Sequence, residues 1–409
     1  MANGSRPRVR LGAAAVAACM AVGLLPLDAA AVPGVTRRRI KIGVHASLTG
    51  AVPLPGDSVQ KGANLLWEWL KERNRPVNGR HVEVVLKNDN YNPSQAVAVC
   101  KQMVEQDNVF LLSGLMSGSN GGDQTLSCAR YAASVGVPYV TIGSYKLGVR
   151  ELRNYFAVTM PMEEQAPLLV DHLVSDLAAR RDVNGIVRYD TPMYEQVHDR
   201  WVTAMAKREA PVAYDRALSR GAATTEAQLI VREMKTAGVE NVTMLVSPIF
   251  FLQVLRAAET QEFAPLWNGV GLTMTISDEI ASIGCRNGTI GGARFLSPLP
   301  AFIDRDSFDR TYDRAVEKVY PESSGGDSVV WLGWATSKAL KDMLELPGRR
   351  LTRQRFIRRA QSGRTMKTGI LPPARFTRRD RFGGRSTHLL EARCRDQRWH
   401  TVRRFVSDF

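Results

Sequence analysis

Apolar positions along this chain follow two periods in turn. Ile40, Ile42 and Val44 alternate with their neighbours, as do Val82, Val84 and Leu86, and a period of two predicts half-buried strands. Between them Val59, Ala63, Leu66 and Leu70 recur at helical spacing behind Gly56 and Asp57, with Asp57 expected as the N-cap. A second helix is predicted over 93–105, where Pro93 suits the first turn and Val97, Cys100 and Val104 share a face. A short strand at 109–112, a Gly and Ser loop, a helix through Cys128 and Tyr131, and a strand at 138–142 follow. Such alternation of strand and helix is the pattern of a doubly wound parallel sheet.

The second half repeats the rhythm. Helices are expected at 162–177, 193–209, 225–236 and 250–260, with strands at 185–189, 242–246 and 266–269. The predicted fold class is therefore α/β, with two doubly wound parallel-sheet lobes and a ligand cleft between them.

The N-terminal 31 residues read as a secretory leader. Arg6, Arg8 and Arg10 precede an apolar stretch from Leu11 to Leu25, and Ala29, Ala30 and Ala31 offer the exit. A second exit exists before Cys19, which would then carry a lipid anchor. The apolar stretch is too short to span a bilayer, so the expected product is secreted to the periplasm or cell surface. What remains is too long for one ordinary core and suits two domains.

Charge and cysteines refine this picture. The net charge of +15 is concentrated at the C-terminal end, where 18 Lys or Arg stand against 4 Asp or Glu from Arg349 onward. A basic segment can attract nucleic acid, acidic envelope polymers or a partner surface, or be a solvated arginine-rich face; no RNA-binding or zinc-finger pattern accompanies it, so no nucleic acid partner is expected. With Cys19 set aside, Cys100, Cys128, Cys285 and Cys394 form an even set without metal-site spacing, which in an exported chain reads as disulfides. Four cysteines allow three pairings. Right-handed crossovers bring the second and third helices to one face, so Cys100 is predicted to pair with Cys128.

Catalysis finds no support. There is no Gly-x-Ser-x-Gly elbow, Walker loop or dinucleotide fingerprint, the six His are scattered, and the adjacent Glu163 and Glu164 read as solvated helix carboxylates. No enzyme, cofactor or metal site is predicted. Binding has a candidate in the loop Ser117, Gly118, Ser119, Asn120, Gly121, Gly122 at the carboxyl end of the third strand, where free N–H groups at a helix start suit an anionic oxygen. An ordinary flexible loop explains that composition equally well.

Several motifs, taken in order, resemble the leucine/isoleucine/valine-binding proteins of ABC transporters. These are residues 39–44 with Ser47, Leu48, Thr49, Gly50, Gly56 and Asp57; the run 92–97; Asp190 with Tyr194; residues 253–256; and residues 330–335. The resemblance spans about 38–409 and implies a type I periplasmic-binding-protein fold, with two lobes joined by three crossover hinge strands that close on a ligand. It divides the chain into the leader at 1–31, a first lobe at 32–160 and 297–370, and a second lobe at 161–296 and 371–409. The crossings are expected near 158–162, 295–300 and 368–375. Cys285 and Cys394 then share the second lobe, which makes them the second expected disulfide.

The resemblance also implies a ligand set. Ser117 matches the carboxylate-holding serine, with Ser119 and Asn120 as substitutes, while Gly143 and Tyr145 correspond to the assisting groups after the next strand and Tyr194 to the second-lobe tyrosine. Val270 stands where the family's amine-binding acid aligns, and Pro55 and Ser247 stand for two aromatics. The expected ligand is therefore a carboxylate without the amine, resting on Tyr145, Phe250 or Trp267, although Trp267 also fits core packing. The implied role is a monomeric solute receptor delivering a small ligand to a membrane permease. The alternative is a sensor of the same fold that signals without transport.

Overall fold

The computed structural model describes residues 1–2, 4, 32–50, 53–114, 123–142, 145–176, 183–219, 222–272, 274–323 and 327–407. Val32–Phe409 forms one compact unit. Among the described residues no helix is long and apolar enough to cross a membrane.

The first half builds β1 (Arg39–Ala46), α1 (Gly56–Glu72), β2 (His81–Asn88), α2 (Pro93–Glu105), β3 (Leu111–Ser113), α3 (Asp123–Ser134), β4 (Tyr139–Thr141) and β5 (Tyr155–Ala157). The five strands form one all-parallel sheet in the order β2-β1-β3-β4-β5. Ile40, Ile42 and Val44 point into one apolar layer, while Leu112 and Tyr139 join the layer under α2 and α3. Cys100 and Cys128 are disulfide-bonded in that second layer, with their Cα atoms 6.0 Å apart, as the shared helix face predicted. Asp57 does not cap α1. Pro55 stands at the cap without a side-chain bond, and Asp57 instead pairs one turn ahead with Lys61 at 2.8 Å. At α2 the cap is Asn92, whose side chain accepts from the Ser94 and Gln95 amides.

The second sheet has seven strands. α4 (Met162–Asp176), β6 (Asn184–Tyr189), α5 (Pro192–Lys207), β7 (Val212–Leu218), α6 (Thr224–Thr236), β8 (Asn241–Leu245), α7 (Pro248–Thr260), β9 (Leu266–Val270), α8 (Glu279–Arg286) and β10 (Arg294–Ser297) follow in order. After a short 3-10 turn come α9 (Tyr312–Val319), α10 (Ser328–Glu345), α11 (Arg353–Ala360), β11 (Ser362–Met366) and β12 (Ala374–Thr377). β13 (Thr387–Arg393) and β14 (Arg398–Val406) close the chain. The order β14-β13-β10-β9-β8-β6-β7 is parallel from β7 to β10 and antiparallel beyond. Apolar layers lie on both of its faces, one with α4 and α5 and one with α6, α7 and α8. Cys285 and Cys394 are bonded across this lobe, Cα to Cα 5.0 Å.

The two sheets are linked by three passages of chain. The first leaves β5, and the second leaves β10 and carries Leu299 back into the first core with α9 and α10. The third lies later than the expected 368–375. Leu371, Ala374 and Phe376 remain in the first core and β12 stays paired with β11, so the chain crosses only beyond Phe382. There it runs beside the first passage: the Ala157 amide donates to the Arg381 carbonyl at 3.0 Å, and the Gly383 amide to the Ala157 carbonyl at 2.8 Å. Gly384 lets these passages touch, because a Cβ there would sit 2.2 Å from the Met160 nitrogen. Any side chain would pry the two linkers apart.

Candidate functional site

All strands of the first sheet end on one edge, and a buried polar cluster there ties the ends of β1 and β2 to the start of the short strand β4. His45, on β1, presents Nδ1 to Asp89 Oδ2 and Nε2 to the Tyr139 hydroxyl, each at 2.7 Å. Ser47 donates to Asp89 Oδ1 at 2.7 Å, and the Tyr91 amide donates to the same oxygen at 2.9 Å. His45, Ser47, Asp89 and Tyr139 are fully buried, so each bond is made without competition from water. Directly above, Gly114 ends β3 with no room for a Cβ, which would lie 2.3 Å from the Tyr139 hydroxyl. The cluster thus fixes where the chain leaves β3 toward the loop that contains Ser117.

Asp89 carries the charge of this cluster. Burial works against ionisation, but the His45 hydrogen bond and charge, the Ser47 hydroxyl and the Tyr91 amide outweigh it and hold the carboxyl below its ordinary range. A depressed folded-state value gives stability that is full above the ordinary carboxylate range and is lost as pH falls through the folded value. His45→Ala should therefore cost roughly 3–5 kcal/mol at neutral pH, because a buried charge loses its partner. In urea denaturation the deficit should be smaller at pH 4 than at pH 7, because burial favours protonation of the orphaned carboxyl. An equal deficit at both pH values would contradict this account.

The second lobe carries an aromatic wall at the end of β6. Tyr189 ends β6 and donates to or accepts from Ser247 at 2.9 Å, with ring centroids 6.4 Å from Tyr194 and 6.2 Å from Phe250. Thr191 caps α5 by accepting from the Tyr194 amide, which seats the half-buried Tyr194 in the first turn. Ser247 caps α7 in the same way, accepting from the Phe250 amide at 3.2 Å. Gln165 joins the linker to β9, donating to the Met160 carbonyl at 2.8 Å and accepting from the Gly271 amide at 3.2 Å.

A cavity of about 590 Å³ lies between the segment after β4 and the helices α4 and α5. Lys146 and Arg150 line it on one side; Glu163, Glu164, Gln196 and Arg200 line it on the other. Glu163 is its unusual member. It is buried, and one carboxylate oxygen accepts from the Lys146 amide at 2.9 Å. The other oxygen, Oε2, is buried with no hydrogen-bond partner among the described residues. Burial pushes this carboxyl up from its ordinary value; hydrogen bonds from its own amide and that of Lys146, together with the Lys146 charge, only partly oppose this. Its neighbour Glu164 is bonded to the Lys146 ammonium. The two adjacent carboxylates therefore differ in kind, and the expectation that both are solvated does not hold for Glu163.

The sequence-predicted residues meet different fates. Ser117, Ser119, Asn120 and Gly143 lie outside the described residues. Tyr145 is buried at the end of the β4 segment, one residue before Lys146, and Tyr194 stands in the aromatic wall. Trp267 is not at the cleft. It is fully buried in the second core, its indole N–H donating to the Thr289 carbonyl at 2.7 Å and its ring edge-on to Phe251 and Phe263. Strand alternation sends it into the α7 layer, so packing is its role. Val270 is likewise buried, in an apolar layer with Leu296 and Leu389. Glu163 escaped sequence reasoning because helical position alone does not reveal burial; its place just past Pro161, at the head of a helix that follows a linker, was the available signal.

Comparison with known proteins agrees with this architecture. Residues 39–397 match the family model described as periplasmic binding protein. An amino acid binding protein of Pseudomonas aeruginosa is 27% identical over 164 residues, which is 39% of this chain and 42% of that protein, so the match spans less than half the relative's length. Among solved structures, a fatty acid ABC transporter substrate-binding protein from Thermomonospora curvata has a TM-score of 0.74 at 18% identity, covering 92% of this chain and 94% of that one. A leucine-binding protein from Thermotoga maritima gives 0.71 at 15% identity, covering 88% and 97%. A solute-binding protein from R. palustris in complex with benzoate gives 0.70 at 13% identity, covering 89% and 96%. Two wound sheets joined by three linkers around a cavity, and a family match over nearly all of Val32–Phe409, lead to one statement: this chain belongs to the periplasmic binding protein family.

Proposed function

We propose that this protein is the extracytoplasmic receptor of an ABC transporter, and that it closes on a small amino-acid-like carboxylate. The observation that carries the ligand class is Glu163: a residue that lines the cavity, with one buried carboxylate oxygen that has no hydrogen-bond donor among the described residues. Leaving such an oxygen unpaired costs more than a surface carboxylate ever would, and a ligand that brings an ammonium or hydroxyl hydrogen removes that cost. The ligand's carboxylate goes to Ser117 and the backbone at Gly143, and its body rests against Tyr145 and Tyr194. Val270 removes the acid expected from the family pattern, and Glu163 supplies another from a different element. This revises the amine-free ligand read from sequence.

A thermal-shift panel tests the proposal, setting α-amino acids, α-hydroxy acids and matched acids with neither group against the purified protein. An amino or hydroxy acid at a hundredfold excess over its dissociation constant should stabilise by about 2.7 kcal/mol. Equal shifts from acids lacking any donor would discard Glu163 as the ligand's partner.

A further inference from the structure

Beside the cavity that Glu163 lines there is a second one, of about 240 Å³, and the two share Lys146 and Arg150. Arg379, Asp380, Arg381 and Phe382 of the third passage complete the smaller cavity. Its walls are thus the segment after β4 and the linker that approaches the second sheet, whereas α5 contributes Gln196, Asp199 and Arg200 to the larger cavity alone.

The smaller cavity is lined by four cations, Lys146, Arg150, Arg379 and Arg381, and by one acid. That acid is already committed, because Asp380 is bonded to Arg385, a fifth cation. Glu164 is shared in the same way: it pairs with Lys146 through one oxygen and lies 3.5 Å from Arg385 through the other. Arg150 and Arg379 are exposed and make no ion pair among the described residues. An arginine-rich C-terminal end accounts for the number of arginines there, but not for this meeting. Arg150 and Arg381 are 231 residues apart in sequence, and the fold brings them to one cavity.

Two of the cations are fixed in place. Arg381 donates to the Arg378 carbonyl at 3.0 Å and to the Arg150 carbonyl, which ties the linker to the segment after β4. The Lys146 ammonium lies 5.4 Å from the centroid of the buried Phe382 ring. Burial holds the Arg381 guanidinium below its ordinary pKa with Arg153 adding to the effect, and the charges of Glu151 and Asp380 only partly oppose this. Cations gathered in this way repel one another and lose hydration, and an anion brought among them offsets both costs.

We infer that the ligand carries a second anionic group, a carboxylate or phosphoryl terminus, which Lys146, Arg150, Arg379 and Arg381 seat in the smaller cavity. This rests on the proposed placing of the ligand's ammonium or hydroxyl at Glu163. Lys146 links the two ends: it lines both cavities, and its amide donates to Glu163 at 2.9 Å. The planar forks of the arginines suit the oxygens of a carboxylate or phosphoryl group, which an aliphatic amino acid does not bring.

Calorimetry on the purified protein tests this with L-aspartate and L-glutamate against L-asparagine and L-glutamine, O-phospho-L-serine against L-serine, and glutarate against L-glutamate. An acidic member should bind about tenfold or more tightly than its neutral match, and the preference should shrink as salt is raised. Whether the carboxylates or the phosphoserine lead identifies the terminus. The double variant Arg150→Gln, Arg379→Gln should erase the preference while changing the affinity of the neutral match little. Arg232→Gln with Arg256→Gln, exposed cations of the second lobe, should leave the preference intact. Unfolding midpoints of both variants should match the parent, which excludes misfolding as the cause. Equal affinity for acids and their neutral matches, or a preference that survives the loss of Arg150 and Arg379, would overturn the inference and leave the role of Glu163 standing. Glutarate binding as tightly as glutamate would instead discard Glu163 as the ligand's partner and keep the second anionic seat. Binding by no member of the panel would overturn the inference as well.

Discussion

Glu163→Gln should leave a protein that folds well but binds its ligand weakly. With a ligand that brings an ammonium to Oε2, calorimetry should find a loss of about 2–5 kcal/mol, the cost of truncating one partner of a buried hydrogen-bonded charge pair. Stability of the unliganded protein should move the other way. The folded-state value of Glu163 is raised by burial, so the folded protein holds this proton more tightly than the unfolded chain. Stability is therefore lost as pH climbs from the unfolded value through the folded one, and above that the charged carboxylate is a standing penalty. Glutamine removes the charge while keeping an oxygen for the Lys146 amide. The variant should melt higher than the parent at pH 8, and the two should converge at about pH 4, near the unfolded value. A variant that binds as tightly as the parent would remove Glu163 from the ligand site, whatever its effect on melting.

Severing Cys285–Cys394 should be the larger blow to the fold. The bridge joins the end of α8 to the turn between β13 and β14 across 109 residues of sequence, and closing a loop of about 100 residues restricts the unfolded chain by about 4.7 kcal/mol. Cys100–Cys128 encloses 28 residues and by the same relation contributes between about 3 and 4 kcal/mol. Paired replacement of Cys285 and Cys394 by Ser should therefore shift the urea midpoint further than the matching change at Cys100 and Cys128. Unreduced protein should show no alkylatable thiol at these four positions. The reverse ranking would mean that the unfolded chain keeps the C-terminal hairpin near α8 without the bond.

Much of the first sheet was legible because its strands and helices write their periods clearly. Ile40, Ile42 and Val44 face one layer, and α2 occupies the predicted 93–105 with its cysteine on the inner face. What escaped notice has physical causes. β7 is an edge strand with most of its side chains exposed, so no apolar alternation marks it. β5 has three residues, too few to show a period. The strands β11 to β14 sit in the arginine-rich stretch, where long cationic side chains on the solvent face hide the buried Leu389, Leu390 and Trp399. Tyr194 and Tyr145 were named through family resemblance, and their contact with a ligand is part of the proposal. Glu163 and the His45–Asp89–Tyr139 cluster were not legible, because both exist only once residues remote in sequence have met.

The strand order also bears on how the polypeptide is made. β10 is the last parallel strand of the second sheet, yet its other neighbour is β13, and 89 residues, most of them first-lobe structure, are synthesised between them. Until Thr387–Arg393 emerges, β10 presents a second open edge besides that of β7, and such edges recruit other chains. A ribosome that stalls near β12 therefore leaves behind a first lobe close to complete and a second lobe ready to aggregate.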